Sequence, residues 1–567
     1  MRVDTSGVHY PRTIGGSPTL KMSPGPRSTI DRRGLCGWLC LACVVLGLFV
    51  FPAAQAASAD WPQWGGHDAR NLVSDERGLA DSFEPGKRDP ETRDIDASTT
   101  RNVKWVARLG SAAYGNPTVA GGRVFVGTDD RLLATSSRFK RAKGGLVQCL
   151  DEATGTLLWQ LVIPMRTNVP DDVWFTHQRL GVCSSPAVDG DRAYVVTSAG
   201  DIVCLDVHGQ ANGNDGPFTG EATYMVPPGK DPIELTDKDA DIIWRFDPMD
   251  ELGVRYHDAA SCSVLIHGDM LYTGTSNGCD RPHKRILNPD APSLIVLDKR
   301  AGRLVATDNE KIGHRMPHCQ WSPPSLGQVN GKTLIFFGGG DGVVYAFEAV
   351  AQASDKPVYL KKVWSYDGNP PGFKFRDGKP IPYYEGDKRK PYSTNENDGR
   401  FLGPNQIIAT PVFYNNRVYV AMGQDPAHGR GRGLLHAIDA TQTGDITQSG
   451  CVWKYPDIER TLSTVAIADG LLYAADLSGK LHCLDADTGK KHYVFDTGAE
   501  TWGGPLVADG KVFLGTKQHF WILAAGPEPK VLSKTRLGAP ALSTPIAANG
   551  VLYVTSQRYL WAVEKKE

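Results

Sequence analysis

Several absences narrow this sequence before any motif is read. No run of basic residues occurs in a chain whose formal net charge is −1, and that balance argues against nucleic acid as a partner. There is no C-x-x-C-H, so a covalently attached haem is excluded. No helical period separates the short apolar stretches, which end instead at turn residues and read as strands. Histidine and cysteine are present, 14 and 11 of them, but their spacing matches no zinc signature. Glycine (62) and proline (38) are abundant, as a turn-rich all-β chain requires.

What is there is repetition. Eight short strands close on Leu-Asp or a worn equivalent: Leu146–Asp151, Asp201–Asp206, Ser293–Asp298, Val343–Glu348, Leu434–Asp439, Lys480–Asp485, His519–Ala524 and Tyr559–Glu564. Each follows a second apolar run, such as Arg123–Gly127 or Arg417–Ala421, and several precede a run bearing a Trp (Trp159, Trp244, Trp364, Trp453). Four short strands per copy make an antiparallel meander, which cannot bury both faces alone and must stack on its neighbours. Phe513 and Tyr553 are forty residues apart, close to the roughly 40–45 residues of a four-stranded propeller blade. The last copy lacks a Trp strand, and Asn102–Gly110 is a Trp strand without a copy before it. Ring closure resolves both facts. The expectation is an all-β, eight-bladed propeller over 102–567, closed by its N-terminal strand, after a 57–101 extension.

Residues 1–56 read as a targeting segment. Arg27, Arg32 and Arg33 precede the apolar run Leu35–Phe51, and Ala54-Gln55-Ala56 fits a small-x-small cleavage site. Export to the periplasm or cell envelope is expected, with a retained anchor and membrane association through the apolar run as the other reading. Cys149, Cys204 and Cys483 occupy the same place in three Leu-Asp strands and read as buried thiols.

Most long insertions fall between second and third strands or in the crossovers between blades, which share one face. Such loops build a funnel at one end of the channel, where a ligand binds. Three crossovers carry a His near a Cys: His177 and Cys183, His257 and Cys262, His318 and Cys319. All should ring the channel mouth. Two readings stay open, a metal or cofactor site or packing of buried polar groups with one disulfide among Cys183, Cys262, Cys279 and Cys319. His177, His257, Asn277, His318 and Trp321 are the funnel candidates for cofactor binding; the metal is left unassigned, and no catalytic residue is named.

The repeat, Pro-x-Val, then Gly-x-x-Tyr-Val, then Leu-Asp-x-x-Thr-Gly, then Trp, resembles that of the pyrroloquinoline-quinone (PQQ) propellers, with Asp151–Trp159 and Asp485–Gly489 the best copies. Trp61-Pro62-Gln63-Trp64 and Asn288–Leu294 resemble secreted bacterial PQQ-repeat proteins. For the quinoprotein alcohol dehydrogenases of this family, the resemblance implies PQQ and Ca²⁺ at the funnel, held by a Glu on blade two and an Asn on blade three, with a catalytic Asp near blade four. Asn277 matches the Asn. Thr197–Gly200 and His314–Trp321, at the other two positions, contain no carboxylate, and no adjacent Cys pair exists for the family's vicinal disulfide. The expected function is therefore a noncatalytic binding or scaffold propeller of the envelope, akin to BamB-type assembly lipoproteins. Its partner would be an envelope protein or a small molecule at the funnel face, and no cofactor is firmly implied. The alternative is a PQQ-dependent alcohol or aldose dehydrogenase with a non-standard ligand set.

Overall fold

The computed structural model describes residues 59–566, apart from 170–174, 176–178, 382–383, 386–387 and 390–402. The targeting segment expected at 1–56 and the funnel candidate His177 lie outside the described residues.

Eight antiparallel sheets run in sequence order, each built from the strand types read in the sequence. Blade one comprises Thr118–Ala120, Arg123–Asp129, Gly145–Asp151 and Leu157–Ile163, in spatial order from the axis outward. Blades two to seven follow the same plan. Blade eight takes Ile546–Ala548, Val551–Thr555 and Tyr559–Val563 from the C-terminal end, and Val103–Arg108 completes it, pairing Val103 with Val563 and Arg108 with Tyr559. That strand closes the ring and leaves neither end of the sheet series open. Blades three and four each gain a short parallel outer strand, Val358–Tyr359 and Gly444–Asp445.

The repeat motif owes its form to contacts between blades. The Trp of an outermost strand packs against the following blade and donates its indole N–H to the carbonyl just after that blade's Leu-Asp. Trp105 bonds Glu152, Trp159 bonds Val207, Trp244 bonds Lys299, Trp364 bonds Ala440 and Trp453 bonds Ala486, at 2.9–3.2 Å. The Asp holds the receiving turn: Asp151 Oδ1 accepts from Thr154 N–H at 2.8 Å and from its hydroxyl at 2.7 Å. The Gly lets the ring in, because a Cβ on Gly155, at φ +73°, would lie 2.5 Å from Trp105. A second set of contacts circles the axis. Asn116 N–H donates to Ser185 Oγ, Ser185 N–H to Ser263 Oγ, Thr410 N–H to Thr464 Oγ1, Gly504 N–H to Thr544 Oγ1, and Thr544 N–H returns to Asn116 Oδ1.

Innermost strands expose one backbone edge to the channel, and buried donors and acceptors there must be met. Residues 61–76 of the extension meet them. Trp61 bridges Val119 of blade one, and the Pro62 carbonyl accepts from Val188 of blade two. Asp68 and Ala69 carbonyls accept from Leu326 of blade four and Phe413 of blade five. Arg70, fully buried, donates to the carbonyls of Val264 and Pro324, at the starts of blades three and four. Val73–Ser74 lies parallel to Leu506–Ala508 of blade seven, and Glu76 accepts from Asn549 and Gly550 of blade eight. Far from being a simple lead-in, the extension is a plug along the axis.

Candidate functional site

Above the plug the channel stays open. Trp64 forms its floor, with the indole N–H donating to Thr410 Oγ1 at 2.7 Å. Over it the channel widens into a cavity of about 380 Å³. Tyr114, Trp321 and Trp502 supply aromatic wall, Tyr114 stacking on Trp502 with ring centroids 5.6 Å apart. Asp258 and Asp425 supply carboxylates. The Trp321 N–H donates to the Ala259 carbonyl at 3.1 Å, which fixes the ring against the crossover into blade three.

Beside the cavity, three connecting segments are stitched together by single β-bridges: Tyr256 to Asn277, and Gly278 to Cys319. Cys279 N–H donates to the His318 carbonyl at 2.8 Å, and Gln320 N–H to the Asn277 carbonyl at 3.0 Å. Gly278 permits this approach, since a Cβ there would stand 2.6 Å from His257 Cβ and 2.7 Å from Cys319 Cβ. The stitching brings His257, Cys279, His283 and His318 into one group whose candidate ligand atoms all lie within 4.8 Å of one another. His257, His318 and Cys279 are buried and His283 is partly exposed. The His257 and His318 ring centroids are 4.6 Å apart, and His283 stacks on His318 at 4.9 Å. His428 joins from the loop after blade five's second strand, 4.9 Å from His318. Burial pushes the Cys279 and Cys319 thiols well above the usual thiol range.

The sequence candidates divide. His257 and His318 meet, and Trp321 lines the cavity. Cys183 also lines it, its thiol pushed up to about 12 by burial. Cys262 turns away, its Sγ against Ser276 and the Gln320 and Ser322 carbonyls. The reading that included one disulfide among Cys183, Cys262, Cys279 and Cys319 is corrected on that point: among the described residues every cysteine is a free thiol. The sequence reading missed His283 and His428, which sit on insertions with no echo in the repeat. The one available signal was the four-residue offset between Cys279 and His283.

Asn277 is fully buried, and its amide bonds the crossover into blade three and its own loop. Its Oδ1 accepts from Arg255 N–H at 3.0 Å and its Nδ2 donates to the Asn288 carbonyl at 2.9 Å. Asp201, the carboxylate nearest to Thr197–Gly200, is taken by Arg245 at 2.9 Å and by the Tyr224 hydroxyl at 3.1 Å. Asp280, in the 2–3 insertion of blade three, caps its own turn through Lys284 N–H at 2.7 Å. The positions that the resemblance assigns to a quinone and calcium therefore do not fit that pair.

Comparison with known proteins bears on the fold and the family. Europium-containing methanol dehydrogenase is similar in structure, with a TM-score of 0.51, 14% identity, and 88% of this chain and 89% of that one covered. BamB from Moraxella catarrhalis gives 0.46 and 13%, covering 82% of this chain and 98% of that one. Quinohemoprotein alcohol dehydrogenase from Comamonas testosteroni gives 0.43 and 14%, covering 91% and 82%. No curated protein matches the chain significantly. The sequence profile described as outer membrane protein assembly factor BamB matches residues 143–352 and 431–526, more than half of the chain. The chain belongs to that PQQ-repeat β-propeller family.

Proposed function

We propose that this protein is an exported, noncatalytic binding propeller of the cell envelope that takes a small-molecule ligand in its axial funnel. The observation that supports this most is the cavity itself: about 380 Å³, with three aromatic side chains on its wall and two carboxylates beside them. Tyr114, Trp321 and Trp502 suit the flat face of a ring, and Asp258 and Asp425 suit hydroxyl or ammonium donors. The plug beneath makes the pocket blind, so a ligand enters and leaves by the same mouth.

A quinoprotein dehydrogenase with an altered ligand set is the second reading. Asp258 and Asp425 favour it, as carboxylates that loops bring to the funnel. One experiment separates the two. The purified protein is mixed with PQQ and Ca²⁺, desalted, and assayed for dye-linked oxidation of alcohols and aldoses. The binding reading expects no retained quinone absorbance and no turnover. Turnover near ordinary enzyme rates, lost in Asp258→Asn, would overturn it. Saturable quenching of tryptophan fluorescence by glucosamine or choline, abolished in Trp502→Ala, would support the pocket directly. Cell fractionation tests export, and mature chain found in the cytoplasm would overturn that part.

A further inference from the structure

We infer that His257, Cys279, His283 and His318 form a binding site for one borderline transition-metal ion of the zinc or copper class, with three nitrogen ligands and one sulfur. The inference is independent of what fills the funnel.

Geometry comes first. The four candidate ligand atoms already lie within 4.8 Å of one another. Around a tetrahedral ion with such ligands, neighbouring donors stand about 3.3–3.8 Å apart. Closing that gap shortens the widest separation by about an ångström.

Orientation comes second. His257 Nδ1 lies 3.0 Å from the Cys279 carbonyl, and His283 Nδ1 lies 3.0 Å from the Arg281 carbonyl. A carbonyl only accepts, so each Nδ1 carries a proton, and a neutral ring then has its lone pair on Nε2; in His257 that nitrogen also lies 3.7 Å from Asp258 Oδ2. That is how metal-binding imidazoles are usually held, with the outer nitrogen bonded to the main chain and the inner one on the ion. The His257 carbonyl contact comes from Cys279, itself a ligand, so one short segment supplies a donor and orients another.

Donor chemistry comes third. Imidazole and thiolate favour zinc and copper over calcium, which takes six to eight oxygen ligands. A divalent ion with one thiolate keeps a single positive charge. Asp258 and Asp425, whose carboxylates come within 4.8 Å of a ring nitrogen of His318, stand between the cluster and the cavity to offset it.

The test uses the full protein, stripped with a chelator and then titrated with Zn²⁺ against a chromophoric competitor, and separately with Co²⁺. One equivalent of Zn²⁺ is expected, with Ca²⁺ failing to compete. Co²⁺ should give tetrahedral d–d bands together with a thiolate charge-transfer band. Cys279→Ser should lose the charge-transfer band, and His283→Ala should weaken Zn²⁺ binding ~100-fold or more. His283 is partly exposed, so that variant keeps its fold, which circular dichroism checks. Zn²⁺ affinity unchanged in folded His283→Ala, or bound Co²⁺ without a thiolate band, would overturn the proposal. Tighter retention of Ca²⁺ than of Zn²⁺ would overturn it as well.

Discussion

The side chain of Asn71 pairs with the main chain of Ile467 as a neighbouring strand would: Nδ2 donates to the Ile467 carbonyl and Oδ1 accepts from its N–H, both at 2.8 Å. Ile467 lies in the innermost strand of blade six, and the bonds come from an extension nearly four hundred residues earlier in the chain. This contact shows how the plug works, since it satisfies channel-facing edges that the blades cannot satisfy among themselves.

Asn71→Ala should therefore leave two buried backbone groups unmet, at about 1–3 kcal/mol each before water enters. Urea unfolding would show a lower midpoint with an unchanged slope. An unchanged midpoint in Asn71→Ala would count against strand mimicry.

Removing residues 57–110 takes away the plug and the closing strand together. The expected outcome is loss of cooperative thermal unfolding for the whole ring, since blade eight would lose its outermost strand and the channel edges would be bare. A truncated protein that melts like the full chain would show that Val103–Arg108 contributes nothing to closure.

Gly155→Val should destabilise by about 2–4 kcal/mol, because the side chain both occupies the place of the Trp105 ring and disfavours the positive φ of that position. Denaturant titration measures it. The same change at Gly372, where a Cβ meets nothing within 4 Å, serves as the control and should be near neutral.

His436 gives a prediction in pH. It is buried on the Leu-Asp strand of blade five, with the Tyr366 hydroxyl 3.0 Å from Nδ1, and burial lowers its pKa to about 4, with Lys454 adding to the effect. In the unfolded chain the ring takes a proton near 6.5; in the folded protein it does so only near 4. Unfolding therefore takes up a proton between these values, and stability falls as pH drops from about 6.5 to 4. The loss attributable to this ring is on the order of 3 kcal/mol at pH 4. His436→Gln should flatten that part of the stability profile, and an unaltered acid limb would refute the assignment.

Gly278→Ala tests how the His/Cys cluster is assembled. A methyl group there would press on His257 Cβ and Cys319 Cβ and move the two crossovers apart. Zinc affinity should fall ~10-fold or more with the global fold retained, because ligand distances tolerate only a few tenths of an ångström. Unchanged affinity would mean that the cluster does not depend on this approach.

The repeat carried the fold on its own. Leu-Asp-x-x-Thr-Gly and the Trp that follows encode a turn and the ring that packs on the next one, so spacing alone showed eight blades and a closing strand. Such signals are local, because each motif residue meets its partner in the same or the adjacent blade. His257, Trp321 and His318 were visible as funnel candidates for the same reason, lying at fixed offsets from innermost strands. The plug was not legible. Its contacts run from residues 61–76 to all eight blades and depend on backbone edges, which leave no mark on residue type. At Asn277 the sequence left the amide's partners open, because an amide in a loop looks the same whether it faces a ligand or bonds neighbouring backbone. His283, His428 and Asp425 come from connections of unrelated length. Only the closure of the ring, with Gly278 small enough to let two crossovers touch, decides that these side chains share one place.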